Sequence, residues 1–252
     1  MLPASAGNLS TYLTNIIASN CKIKGLIPYE VGNLSSLLDL DLSGNNLAGS
    51  IPTSIGNLRN LQGLFLSNNK LTGSIRDNLC KLQRLDVIDL TQNQISGSIP
   101  NCLGNISSLR EIHVGSNKLS NNIPSSLWNL KDLMVLDISS NNMVGSLTLE
   151  IGKLKATTLI DMSMNQFSNG IQREIGGLQN LAHLSLRQNK LQGSIPDSMS
   201  NMITYYYFSF WRLTPRNDDV DEETGNEVDD LEDQSLVESD SDEKMCKLCF
   251  YY

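Results

Sequence analysis

The chain has 252 residues and a formal net charge of −8 at pH 7, which divides into +3 over residues 1–213 (13 acidic, 16 basic) and −11 over residues 214–252 (14 acidic, 3 basic). No apolar run reaches the ~18 residues of a membrane helix, and the N-terminus lacks the apolar core of a secretory signal. Five cysteines are too few for a disulfide scaffold, and a body without a basic cluster gives no electrostatic case for nucleic acid, so we expect neither class.

A 24-residue repeat organises the chain from its beginning. The unit that starts at Leu34 reads Leu-x-x-Leu-x-x-Leu-x-Leu-x-x-Asn-x-Leu-x-Gly-x-Ile-Pro-x-x-Ile-Gly-Asn, and the next unit starts at Leu58. Residues 10–201 hold eight such units, and residues 1–9 match the end of another. Because a solenoid needs polar caps over its open ends and the first coil is bare, we expect residues 1–9 to be the end of a truncated repeat.

Each unit contains a Leu-x-Leu pair followed three residues later by an asparagine. The pair predicts a short strand with one buried face, and the residue between the two leucines faces outward. An asparagine amide can donate to and accept from turn backbone in its own coil and in the adjacent one, so we predict a structural ladder. Its seven members are Asn45, Asn69, Asn93, Asn117, Asn141, Asn165 and Asn189.

The glycine and proline positions of the unit predict its backbone. Glycine fills its position in six of the eight units, and Asn121 and Asn169 replace it. Asparagine is the other residue that tolerates positive φ best, so we predict a left-handed backbone there. Proline follows an isoleucine in five units and predicts an extended segment on the return side of the coil. Glycine and proline inside every unit also disfavour a helical solenoid of the same period.

These positions resemble the plant-type leucine-rich repeat found in the ectodomains of plant receptor-like kinases and receptor-like proteins. The resemblance covers roughly Leu2 to Asn201, including phrases such as Gly-Ser-Ile-Pro-x-Ser-Ile-Gly-Asn-Leu. It implies an α/β-type repeat solenoid, a right-handed horseshoe with a parallel β-sheet on the concave face and 3₁₀ or irregular segments on the convex side.

The same resemblance implies a non-catalytic module for defence or developmental signalling at the outer side of the plasma membrane. Its partners would be a peptide or protein ligand and a co-receptor with leucine-rich repeats, and no cofactor is implied. Family members continue with a membrane helix and a serine/threonine kinase domain, whose signatures do not occur in this sequence. A soluble scaffold or inhibitor protein and a non-functional receptor gene fragment remain open as alternatives.

Departures from the family background on the outward strand positions are the candidate ligand contacts. Aspartate is the background residue there, so the aspartates also have a solvated, partly structural interpretation. Phe65 is a lone outward aromatic, and exposed aromatic and Arg side chains are typical interface anchors. Two separated histidines make no metal site, and no column offers a nucleophile with a base. The candidates are Phe65, Asp89, Arg110, Glu111, His113, Asp137, His183, Arg187 and Gln188.

Three glycosylation sequons occur, at Asn8, Asn33 and Asn105. All three lie in the Gly-Asn-(Leu/Ile)-Ser corner between one repeat and the next, where a glycan would leave the sheet free. Chance occurrence in an Asn- and Ser-rich chain is the alternative. If the chain is secreted, we expect these sites to be occupied.

Cys80 and Cys102 are separated by 22 residues, which is one coil less two positions. This spacing places them behind adjacent coils, where a disulfide could form. Two separate buried thiols are the alternative.

The repeat pattern breaks off after Asn201. Residues 202–213 keep the hydrophobic 3-3-2 spacing with aromatic residues, which predicts either a ninth strand that caps the array or an unrelated aromatic segment. Residues 214–252 are acidic and predict a disordered tail, with an acidic interaction tail as the sharper alternative. The Cys-x-x-Cys at Cys246 and Cys249 is a weak zinc or redox signal without a second pair.

Overall fold

A computed structural model of the chain describes residues 1–10, 12–201, 208–209 and 249–251. Within that part of the chain, each 24-residue unit forms one coil of a stack. A coil consists of a three-residue strand, a turn at the ladder asparagine, a short second strand or extended segment, and a 3₁₀ helix. Like positions of successive coils lie side by side, so each position of the repeat becomes a column across the molecule.

The first strand of every coil joins one main sheet. Neighbouring strands pair in parallel with partners 24 residues apart, such as Leu40 with Leu64, so the predicted parallel sheet is confirmed. The first strand also pairs antiparallel with the last, with Ile17 opposite Cys249. The main-sheet strands are Asn15–Ile17, Asp39–Asp41, Gly63–Phe65, Val87–Asp89, Glu111–His113, Val135–Asp137, Leu159–Asp161, His183–Ser185, Phe208–Ser209 and Cys249–Tyr251.

Short second strands and 3₁₀ helices complete the coils on the other sides. The second strands are Lys24–Gly25, Asn46–Gly49, Lys70–Leu71, Ser96–Gly97, Lys118–Leu119, Val144–Ser146, Gln166–Asn169 and Lys190–Leu191. The 3₁₀ helices are Ala4–Asn8, Tyr29–Asn33, Thr53–Asn57, Asp77–Lys81, Asn101–Asn105, Ser125–Asn129, Leu149–Lys153, Arg173–Gly177 and Asp197–Asn201. Extended prolines precede four of these helices, with φ from −67° to −61° and ψ from 129° to 143°, as their sequence position predicts.

The core is one continuous apolar cluster that runs through the stack from Leu13 to Met199. In each coil the leucines of the strand and the isoleucine or leucine of the 3₁₀ helix point into it, and Leu40, Leu42 and Ile55 are fully buried. Burying one such side chain contributes roughly 1.5–3 kcal/mol. Because these side chains fill the space between coils, a coil is stabilised by its neighbours rather than by itself.

The ladder asparagines bond each coil to the one before it. In its own coil, Asn117 donates from Nδ2 to the carbonyl oxygens of Val114 at 3.2 Å and Gly115 at 3.1 Å. In the preceding coil, it donates to the carbonyl oxygen of Leu90 at 2.9 Å and accepts at Oδ1 from the N–H of Ile95 at 3.0 Å. The other six asparagines repeat this arrangement.

The glycine position of the repeat is left-handed in every coil, which confirms the prediction. The φ angle lies between 73° and 100° at its glycines and is 68° at Asn121 and 67° at Asn169. A second left-handed column, which the sequence does not reveal, immediately precedes the ladder asparagines. It comprises Asn20, Gly44, Asn68, Gln92, Ser116, Ser140, Met164 and Gln188.

A second glycine column, in the 3₁₀ helices, lets neighbouring coils approach closely. A Cβ added at Gly104 would lie 2.6 Å from the Cβ of Ser126 and closer still to the Ser126 carbonyl group. The Ser126 hydroxyl in turn donates to the carbonyl oxygen of Asn101. The helices therefore pack backbone to backbone. The same close approach occurs at Gly32, Gly56, Gly152 and Gly176.

Cys80 replaces the glycine of this column, and Cys102 lies where the contact partner of that glycine would be. The two sulfur atoms are bonded and the Cα atoms are 5.7 Å apart, within the usual range for a disulfide. Of the two alternatives that the spacing left open, the structure therefore has the bridge. Cys21, at the asparagine position of the first repeat, is also disulfide-bonded.

Removing the Cys80–Cys102 bridge with the double change Cys80→Ser and Cys102→Ser is expected to lower the free energy of unfolding by about 2–3 kcal/mol. The physical reason is that the unfolded chain regains the freedom of the 22-residue loop that the bridge closes. Urea unfolding followed by circular dichroism measures the loss. Asn78→Ser, at the place of Cys102 one coil earlier, is the control, and an equal effect of the two variants would contradict the prediction.

The predictions for the C-terminal region fall mostly outside the described residues. Phe208–Ser209 extends the main sheet in the same register, with Phe208 paired to Leu184, 24 residues earlier. The boundaries of the aromatic segment 202–213 and the acidic character of the tail 214–252 stay predictions, as does the weak Cys-x-x-Cys signal, because those residues lie outside the described part of the chain.

Candidate functional site

The main sheet turns one side of every strand away from the core, and the pairing register aligns these residues in two columns. The first column is Asn15, Asp39, Gly63, Val87, Glu111, Val135, Leu159 and His183. The second is Ile17, Asp41, Phe65, Asp89, His113, Asp137, Asp161 and Ser185. We call these columns, with the residue before each strand and the second residue after it, the inner face.

The nine predicted contact residues form two groups. Six lie together on four adjacent strands, and His183, Arg187 and Gln188 lie two strands further along, about 10 Å away at ~4.8 Å per strand. Gln188 also occupies the second left-handed column, at φ 53°, just outside the inner face. The first group is Phe65, Asp89, Arg110, Glu111, His113 and Asp137.

Phe65 is half-buried, and its ring lies over Gly63 of the same strand. A Cβ added at Gly63 would be 2.5 Å from the ring carbon Cε2 of Phe65 and 2.5 Å from Oδ1 of Asp39. The other strands have a side chain at this position of the first column. Gly63 thus makes the space that holds the Phe65 ring against the sheet, a contribution that the sequence pattern did not indicate.

The aspartates of the second column have a structural role in addition to their place on the inner face. Oδ1 of Asp137 accepts hydrogen bonds from the N–H of Ser139 at 3.0 Å and from its hydroxyl at 2.7 Å. Asp41 and Asp89 make the same two bonds, and Asp161 makes the backbone bond. These bonds hold the turn after each strand and use one of the two carboxylate oxygens.

Two predicted contact residues are paired with acidic neighbours. Nε2 of His113 lies 3.0 Å from Oε2 of Glu111, two residues earlier on the same strand. Nε of Arg110 lies 3.6 Å from Oδ1 of Asp86, one coil earlier, and both side chains are largely exposed. Such exposed pairs contribute little to stability, so they orient the side chains rather than hold the fold.

Asp39 has the one carboxyl of the inner face whose pKa departs clearly from its ordinary value among the described residues. Burial beside the sheet raises the pKa of Asp39. The hydrogen bond that Asn15 Nδ2 donates to Asp39 Oδ2 at 2.7 Å opposes this rise. The carboxylate of Asp39 is therefore less well solvated than those of the second column.

The three sequon asparagines lie away from the inner face. Asn8, Asn33 and Asn105 are each the last residue of a 3₁₀ helix, and each is exposed. A glycan at any of them would project from the corner between coils. The positions are compatible with glycosylation and with an open inner face.

His113 and His183 stand three strands apart, about 14 Å at ~4.8 Å per strand, too far to share a metal ion. No group of three or more His, Cys, Asp or Glu side chains suited to a metal ion occurs among the described residues. In the same part of the chain, no helix has the length and apolar character needed to cross a membrane.

Three solved structures resemble this chain. The ectodomain of the receptor kinase GASSHO1/SCHENGEN3 from Arabidopsis thaliana, in complex with CASPARIAN STRIP INTEGRITY FACTOR 2, is 38% identical with a TM-score of 0.70, covering 71% of this chain and 21% of that one. The plant peptide hormone receptor RGFR1 in complex with RGF2 is 35% identical with a TM-score of 0.77, covering 80% and 32%. The Arabidopsis receptor kinase HAESA, with the peptide hormone IDA and the co-receptor SERK1, is 32% identical with a TM-score of 0.75, covering 81% and 34%.

This chain thus spans between 21% and 34% of the length of those three structures. A search of curated proteins finds no match. The family profile described as "Leucine-rich repeat region" matches residues 17–146, about half of the chain, and "Leucine Rich Repeat" matches residues 180–202. The stacked coils, the parallel main sheet and these matches agree: the chain belongs to the leucine-rich repeat family, with repeats like those of plant receptor kinase ectodomains.

Proposed function

We propose that this chain is the ligand-recognition region of a plant receptor of the receptor-like kinase or receptor-like protein type. It lies on the outer side of the plasma membrane and acts in defence or developmental signalling. It binds a peptide or protein ligand across the inner face and catalyses no reaction. The observation that carries this proposal is the Phe65 ring, held over Gly63 among outward-facing charged groups on four adjacent strands.

The ligands of the similar structures support a peptide as the partner. RGFR1 is in complex with RGF2, and HAESA is in complex with the peptide hormone IDA and the co-receptor SERK1. Eight coils at ~4.8 Å per strand give a platform roughly 35–40 Å long, which matches an extended peptide of about ten residues. We therefore propose a peptide on the inner face and a co-receptor with leucine-rich repeats as a second partner.

The proposal predicts that a peptide bound by this chain contacts Phe65 and Arg187. Twelve-residue random peptides displayed on phage would be selected on the full chain, and their affinities measured for Phe65→Ala and Arg187→Ala. Each change is expected to weaken binding by about tenfold, because interface anchors of these types carry a large share of the affinity. Tyr29→Ala and Arg173→Ala, two exposed residues on the 3₁₀ side, are the matched controls.

Controls that keep affinity within about twofold, beside the two losses, would support recognition on the inner face. Selected peptides that ignore both Phe65→Ala and Arg187→Ala would place binding elsewhere and overturn the proposed site. A selection that yields no binder to a correctly folded chain would overturn peptide recognition itself and favour a scaffold.

A further inference from the structure

The inner face has a charge opposite to that of the rest of the repeat region. It holds seven acidic and two basic residues, a net −5, whereas the remainder of residues 1–201 holds six acidic and thirteen basic residues, a net +7. The body charge of +3 therefore conceals two surfaces of opposite sign. The acidic residues of the inner face are Asp39, Asp41, Asp86, Asp89, Glu111, Asp137 and Asp161.

The carboxylates of the second column are not neutralised within the described part of the chain. Arg110 is placed against Asp86, and His113 against Glu111. None of the ion pairs among the described residues involves Asp89, or Asp41, Asp137 and Asp161 in the same column. The hydrogen bonds to their serine and threonine neighbours use only Oδ1, so Oδ2 faces the inner surface.

We propose that the ligand of the inner face is a cationic peptide that lies extended across the strands. Its basic side chains meet the second-column aspartates, and an apolar side chain packs on Phe65. This inference rests on the proposed function and specifies its ligand class. The partner is a peptide of net positive charge because it must complement a surface at −5.

The register of the second column sets the length of the bound segment. Asp41, Phe65, Asp89, His113, Asp137 and Asp161 follow one another on adjacent strands. Five steps of ~4.8 Å give about 24 Å from Asp41 to Asp161, which an extended chain covers with about seven residues. An apolar residue between two basic ones would match the order of Asp41, Phe65 and Asp89.

The opposite side of the molecule would not compete for such a ligand. Lys153, Lys155 and Arg173 line a groove of about 540 Å³ between the last coils there. A cationic peptide is repelled from this groove and attracted to the inner face, so the charge pattern also directs the encounter.

The test uses the full chain and pools of fluorescein-labelled heptapeptides in which one position is fixed as Lys, Glu, Phe or Gly. The variant carries Asp89→Asn, Asp137→Asn and Asp161→Asn together. Asparagine keeps the Oδ1 acceptor for the turn, so only the charge changes. The matched control carries Asp77→Asn, Asp132→Asn and Asp197→Asn, three exposed residues of the opposite side, and has the same net charge. Circular dichroism melts verify that both variants fold.

We expect lysine pools to bind wild-type chain at least about tenfold more tightly than glutamate pools, with the difference shrinking at high salt. The inner-face variant should lose about tenfold in affinity for lysine pools, and the control less than about twofold. Glutamate pools that bind as well as lysine pools, or equal losses in the two variants, would overturn the cationic ligand while Phe65-dependent binding upholds the proposed function. Binding that is absent, or insensitive to Phe65→Ala, would overturn both.

Discussion

Replacing Asn117 with alanine is expected to lower the free energy of unfolding of the repeat region by about 4 kcal/mol. The change leaves the N–H of Ile95 and the carbonyl oxygens of Leu90, Val114 and Gly115 without the amide that they share. Asn117 is 9% exposed, so water does not readily replace these bonds. A buried backbone group without a partner costs roughly 1–3 kcal/mol.

The position of Asn117 in the stack increases the effect. It lies in the fifth coil and bonds across the junction with the fourth, so its loss weakens the contact between two halves of the array. Urea unfolding followed by circular dichroism measures the change. Asn129→Ala, at an exposed helix end in the next junction, is the matched control and should cost less than about 0.5 kcal/mol. Similar losses for the two alanines would show that the amide network carries no special weight.

The main sheet and the ladder could be predicted because their residue types have one physical explanation each. A leucine, an outward residue and a second leucine, as at Leu40 and Leu42, fit a strand with one buried face. A buried asparagine at a fixed interval requires backbone partners, and Asn45 has them in its own and the preceding coil. The left-handed glycine position followed from its exceptions, since Asn121 tolerates positive φ where most residues do not.

Other features left no such mark on the sequence. Gln92 and Met164 occupy left-handed backbone although their residue types do not favour it, because the bonds of the next residue, a ladder asparagine, fix the turn. Gly63 shows in the sequence only as a missing side chain, and its meaning depends on where the Phe65 ring lies. The candidate contact residues were found as departures from a background, but their two groups and their ion pairs depend on the register of the sheet.

The close approach of the 3₁₀ helices was also invisible in the sequence, and it leads to the second large effect. Gly104→Ala is expected to destabilise the repeat region by about 3–4 kcal/mol, because the new methyl group overlaps the Ser126 carbonyl group and Cβ. The overlap is with backbone, so no side-chain rotation relieves it. The two helices must move apart, which also strains the hydrogen bond from Ser126 to Asn101.

Gly170→Ala is the matched control, since an added Cβ there would meet only the carbonyl oxygen of Gln192 at 3.7 Å, an ordinary contact. Alanine restricts the unfolded chain equally at both positions, so the difference between the two variants isolates the clash. Urea midpoints should separate by the amount expected for Gly104→Ala. A Gly104→Ala chain as stable as Gly170→Ala would mean that the coils have room to separate at no cost. The glycine column would then record the sequence history of the repeat rather than a packing requirement, and the bridge at Cys80 would be left without its structural explanation.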